Sequence, residues 1–166
     1  MATTETNDRG IWPKSLITIP LIVGIGILMG YLSNSGFSND WYARLDKPAF
    51  QPPGWAFGAV WTTLYTMMGI ALSILWRARN DKSAATPAMQ LFTIQFILNL
   101  AWSFIFFRME NPRGAFFEIL VLNVAIVLTI VAAWRVSKVA AVLLIPYLCW
   151  TLFATVLNGT IWRMNS

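Results

Sequence analysis

The chain has 166 residues, a net charge of +5, nine tryptophans and no histidine, and it is 57% hydrophobic but only 11% charged. Without histidine it lacks the commonest metal ligand and the one side chain that titrates near neutral pH. A single cysteine, Cys149, cannot supply a zinc site, a Cys-His nucleophile, a C-x-x-C-H haem attachment or an internal disulfide. No metal site and no cofactor are expected.

A mean hydropathy of +0.61 argues for a membrane protein rather than a soluble domain. Crossing the hydrocarbon core takes about 20 apolar residues in a helix. Five stretches meet that demand: 15–32, 54–76, 88–107, 114–134 and 139–162. The fold class that follows is an all-α integral membrane protein, a five-transmembrane-helix bundle with a capping first loop. Residues 1–14 form an N-terminal tail, disordered over Met1–Asp8, and 15–166 form a single multi-pass domain in a bacterial or organellar membrane.

The first span follows Arg9 and Lys14, a basic flank that also suits a secretory signal. The small-residue A-x-A pattern is missing at Leu32-Ser33-Asn34-Ser35, so the span is expected to be retained. It carries Gly26-x-x-x-Gly30, a groove that permits close helix approach either within the bundle or across a dimer face. The connection that follows reads SNDWYARLDKPAFQPPG from Ser38 to Gly54. Its prolines stiffen it, and Pro53 with Gly54 is placed to open the next helix. Two readings that do not exclude each other remain open: a cover over the mouth of the bundle, and an interfacial segment anchored by Trp41 and Tyr42.

Five spans put the termini on opposite faces. Arg9, Lys14, Arg77, Arg79, Lys82, Arg135 and Lys138 fall on the N-terminal side, and Arg44, Lys47, Arg108, Arg113 and Arg163 on the other. The bias favours a cytoplasmic N-terminus in an inner-type membrane. Charges spread thinly over helix ends suit anionic lipid headgroups, so membrane lipid rather than nucleic acid is the expected partner. Glu118, early in the fourth span, reads as an end-of-span carboxylate near Arg113.

Trp12, Trp76, Trp134 and Trp162 sit at span ends, as interfacial tryptophans do. Trp61, Trp102 and Trp150 fall inside spans, where the indole N–H needs a partner. Helical spacing gathers them with polar groups: Trp61, Tyr65 and Met68; Gln95, Asn99 and Trp102; Tyr147, Trp150, Ala154 and Asn158. Each set is one stripe of one helix. Because polar groups avoid lipid, these stripes are expected to face inward, either as interhelical glue or as the wall of a site. With Trp41 and Phe57, the candidate ligand-binding set is Trp41, Phe57, Trp61, Tyr65, Asn99, Trp102, Tyr147, Trp150, Ala154 and Asn158.

The strings WYARLDKPAFQPPGWAFGAVWTTLY, NLAWSFIFF and IPYLCWTLFATVLN resemble the translocator protein family, also called tryptophan-rich sensory proteins or peripheral-type benzodiazepine receptors. The resemblance spans Trp41 to Trp162. It implies a five-helix bundle whose long first loop caps a cavity, often as a homodimer, that binds porphyrins such as protoporphyrin IX and synthetic isoquinoline carboxamides and benzodiazepines. The family's pocket positions fall on Trp61, Asn99, Trp150 and Ala154. Animal members also bind cholesterol, but Val156 to Arg163 carries no tyrosine, so the sterol motif is incomplete and weak sterol binding is expected.

The expected ligand is a porphyrin or another flat apolar molecule, stacked on Trp61 and Trp150, with Arg44 and Lys47 available to propionates. The lack of histidine favours a metal-free macrocycle over haem. Three function classes are compatible: a membrane receptor or regulator in tetrapyrrole homeostasis or stress response, a transporter of porphyrin or lipid-like ligands, and a Trp-dependent photo-oxidative enzyme that degrades porphyrin. In the last, Trp61 and Trp150 would be the catalytic residues.

Overall fold

A computed structural model of the chain describes residues 11–166 and, among these, the side chains from Lys14 onward. The expected Met1–Asp8 tail, Arg9 and the side chain of Trp12 lie outside them. Among the described residues the elements are all helical: α1 (Ile11–Leu32), α2 (Asp40–Arg44), α3 (Gly54–Ala78), α4 (Ala85–Ser103), α5 (Pro112–Val136) and α6 (Lys138–Met164). After Ser103, α4 continues as a π-helical turn, Phe104–Arg108. Five of the helices are long and apolar enough to cross a membrane, and the protein is a multi-pass integral membrane protein.

The helices overrun the hydropathy-defined spans by a few residues at most ends, because their boundaries are set by caps. Asn111 accepts from the Gly114 N–H with Pro112 in the first turn, and Ser137 accepts from the Ala140 N–H, each satisfying a donor that the helix itself leaves orphaned. Lys82 donates to the Val136 carbonyl at 2.6 Å, closing the C-terminal end of α5. α1 begins at Ile11, inside the segment expected to be tail.

Around the bundle α1 packs on α3, α3 on α6, α6 on α5 and α5 on α4. Lipid tails are as apolar as the helices, so close packing and interhelical hydrogen bonds hold such a bundle together. The α1–α3 contact shows both. A Cβ on Gly69 would lie 2.7 Å from the Ile19 Cα, and the Thr18 hydroxyl donates to the Gly69 carbonyl at 2.7 Å. Met68, Leu75, Phe92, Leu144 and Tyr147 fill the interior behind it.

Gly26 faces inward rather than offering a dimer groove. A Cβ there would come within 2.2 Å of the Tyr65 ring, so the glycine is where α1 admits an aromatic side chain from α3. At the span ends, Lys14 lies over Trp76, Trp162 packs on Phe116 and Phe117, and Trp134 is about half exposed.

Candidate ligand-binding site

The segment between α1 and α3 folds back over one end of the bundle. Asn39 caps α2 by accepting from the Tyr42 N–H at 3.0 Å, which holds the five-residue helix in place and turns Tyr42 down into the structure. Tyr42 is 4% exposed. Its ring meets Phe37, Phe106 and Phe107 edge-on, and its hydroxyl bonds Gln51 at 3.2 Å. Burial pushes the Tyr42 phenol up to about 12. The far half of the loop is tied to the end of α6. Asn165 accepts from the Asp46 N–H at 2.9 Å and donates to the Asp46 carbonyl at 3.0 Å, while Phe50 meets Phe153. Of the two readings left open for this loop, the cover describes its geometry.

Beneath the cover lies a cavity of about 430 Å³, within the range of small-molecule sites. Eight of the ten candidate residues line it: Phe57, Trp61, Tyr65, Asn99, Trp102, Trp150, Ala154 and Asn158. Trp150 meets Phe57 edge-on at 5.7 Å, and Trp61 lies over Tyr65 at 5.2 Å. Two hydrogen bonds set the polar positions. Tyr65 donates to Asn99 Oδ1 at 2.9 Å, and the Trp102 indole donates to Asn158 Oδ1 at 3.1 Å. Asn158 also donates to the Pro112 carbonyl at 2.8 Å, so one amide joins α4, α5 and α6. The amides thus serve as interhelical glue while standing on the cavity wall.

The other two candidates stand behind the wall. Trp41 packs on Phe106 from the loop side. Tyr147 is fully buried and meets Trp61 edge-on at 6.3 Å, its hydroxyl without a hydrogen-bond partner among the described residues. Gln95, from the same stripe as Asn99, is likewise buried with both amide atoms unpartnered. The wall also includes residues that the aromatic stripes did not indicate, notably Val23, Gly26 and Gly30 of α1. Their spacing of three and four residues is one helical face, a signal present in the sequence but without a polar group to mark it.

Two electrostatic expectations are revised. The described residues lining the cavity include no charged side chain. Lys47 is spent on the Ala43 and Leu45 carbonyls at 3.2 and 2.8 Å and lies over the Tyr42 ring at 4.9 Å, closing the C-terminal end of α2 from outside. Glu118 turns its carboxylate into the bundle, both oxygens buried without a described partner, while Arg113 lies over Trp162. No group of His, Cys, Asp and Glu among the described residues is arranged to hold a metal ion.

The family model described as "TspO/MBR family" matches residues 16–163. The chain is 40% identical over 155 residues to the tryptophan-rich protein TspO of Chlorobaculum tepidum, covering 92% of this chain and 98% of that protein. It is 38% identical to the protein of the same name from Archaeoglobus fulgidus, over 92% and 97% of the two chains. To the human translocator protein it is 39% identical over 147 residues, 87% of this chain and 86% of that one. A match over nearly all of the membrane domain, together with the five-helix bundle, shows that this chain belongs to the TspO/MBR family.

Proposed function

We propose that the protein is a membrane receptor for flat apolar ligands of the porphyrin type, protoporphyrin IX among them, acting as a homodimer in tetrapyrrole homeostasis or stress response. The observation that carries this reading is the covered cavity, whose wall sets Trp61 and Trp150 around an uncharged interior. Aromatic walls favour an extended π face through stacking and area burial. The Asn99 and Asn158 amides give such a ligand fixed polar contacts in an otherwise apolar site, the pattern that orients small molecules in pockets. A receptor also needs no acid, base or metal.

Titration of protoporphyrin IX into the protein in liposomes, read by quenching of tryptophan fluorescence, tests the reading. Trp61→Phe and Trp150→Phe each trim an indole from the wall and are expected to weaken binding by roughly 1 kcal/mol, about fivefold. Trp76→Phe, at the opposite end of α3, leaves affinity as it was. Equal affinities for all three variants would place the ligand elsewhere.

A further inference from the structure

We propose that the ligand reaches the cavity sideways, from within the bilayer, through the seam between α1 and α3 at Gly30 and Gly58. The proposal rests on the cavity being the ligand site. Its own support is the contrast between the two ends of that seam and between the seam and the loop cover.

Toward the far end of the bundle the seam is shut. Thr18 bonds the Gly69 carbonyl, Gly69 presses on Ile19, and Gly26 is filled by the Tyr65 ring. Toward the cover it opens: a Cβ built on either Gly30 or Gly58 meets nothing within 4 Å, although both residues line the cavity. Ile27 and Thr62 line the cavity too, yet Ile27 is 64% exposed and Thr62 is also exposed. A residue that is at once cavity wall and outer surface marks an opening.

Phe37 and Gly54 at the foot of the loop also line the cavity and are exposed, but the Phe37 ring lies against Gly54 and fills the upper end of the seam. The opening below that ring lies at membrane depth. At 1.5 Å per residue, Ile27 sits about 8 Å below the end of α1 and Thr62 about 12 Å into α3. Its rim is matched to lipid: the Thr62 hydroxyl donates back to the Gly58 carbonyl at 2.8 Å, so its donor is satisfied within α3 and needs no water. The water-facing end is the opposite. There Tyr42 is packed among three phenylalanine rings and the loop is held to α6 by both arms of the Asn165 amide. A membrane-dissolved ligand that used the cover would have to break those contacts and cross water; through the seam it stays in an apolar medium throughout.

The test is stopped-flow quenching of tryptophan fluorescence in proteoliposomes, with protoporphyrin IX delivered from donor vesicles. Gly58→Phe and Gly30→Phe each place a ring in the open part of the seam, one from each helix, so either alone suffices if the other folds poorly. Both are expected to slow association and dissociation at least tenfold, the signature of a raised barrier. Asn165→Ala, which frees the cover, is expected to leave both rates within twofold. For the unmodified protein, the association rate should follow porphyrin per lipid rather than its aqueous concentration. Unchanged rates in the seam variants, a tenfold acceleration by Asn165→Ala, or dependence on the aqueous concentration would each overturn the seam in favour of the cover. Absence of quenching in the unmodified protein at every porphyrin load would overturn the ligand reading itself, and the seam with it.

Discussion

Gly24 and Gly26 are two residues apart on α1, and the structure assigns them opposite responses to the same small change. A Cβ on Gly24 meets nothing within 4 Å, whereas one on Gly26 would lie 2.2, 2.6 and 2.7 Å from three atoms of the Tyr65 ring. Tyr65 is 9% exposed and has little room to retreat, and its hydroxyl is committed to Asn99 at 2.9 Å. Overpacking a filled site costs about 1–3 kcal/mol. Displacing the ring also forfeits an interhelical hydrogen bond, which in membrane proteins is worth about 0.6 and up to about 1.7 kcal/mol. Against this, alanine is a better helix former than glycine by about 1 kcal/mol. Gly26→Ala should therefore lose roughly 1–4 kcal/mol, while Gly24→Ala is neutral or gains up to about 1 kcal/mol. Unfolding in mixed micelles by titration with sodium dodecyl sulfate, followed by tryptophan fluorescence, measures both. Gly26→Ala should also weaken protoporphyrin binding, because Tyr65 and Asn99 are cavity wall. Equal stabilities for the two variants would refute the assignment of Gly26 to the α1–α3 contact.

Because the described cavity wall carries no charge, protoporphyrin IX dimethyl ester is expected to bind at least as tightly as the free acid in a fluorescence titration; a loss of tenfold or more would show that a cation receives the propionates. Gly159→Tyr restores the letters of the animal sterol motif, but a Cβ at that position falls 2.9 Å from the Phe116 ring on α5. It should lower the unfolding midpoint without raising cholesterol affinity, and the unmodified protein should bind cholesterol more weakly than protoporphyrin IX in side-by-side titrations. The Tyr42 phenol, raised by burial to about 12 against an ordinary value of 10.0, links the cover to pH. Its stabilising contribution is complete below pH 10 and is lost as pH rises from 10 toward 12, because the unfolded segment ionises first. Phenolate absorbance near 295 nm should therefore show a late-titrating component that Tyr42→Phe removes.

The five spans were legible because apolar runs long enough to cross a bilayer leave little alternative. The inward stripes were legible for a related reason, since Gln95, Asn99 and Asn158 cannot face lipid cheaply. Periodicity names a face but not the neighbour it meets. Hence Gly26-x-x-x-Gly30 could be read as an internal contact or as a dimer groove, and only the Tyr65 ring decides for Gly26. Tyr147 lies on the same stripe as Trp150, yet it is buried behind the cavity wall, where its ring meets Trp61 edge-on. The short α2 and the π-helical turn at Phe104–Arg108 were hidden for another reason. α2 has a local signal in its Asn39 cap, but five residues are too few to show a periodicity, and the turn lies where Phe106 and Phe107 meet Tyr42 from a distant part of the chain. The inward turn of Glu118 was missed because its neighbour in sequence, Arg113, pairs with an indole instead.

The most direct measurement of the ligand assignment is an experimental structure of the protein with protoporphyrin IX bound in a lipid environment. The macrocycle is expected beneath the loop cover, in contact with the Trp61 and Trp150 indoles and within hydrogen-bond reach of Asn99 or Asn158. Density for the macrocycle on the outer surface of the bundle, with the cavity between α1, α3 and α6 left without it, would contradict the account.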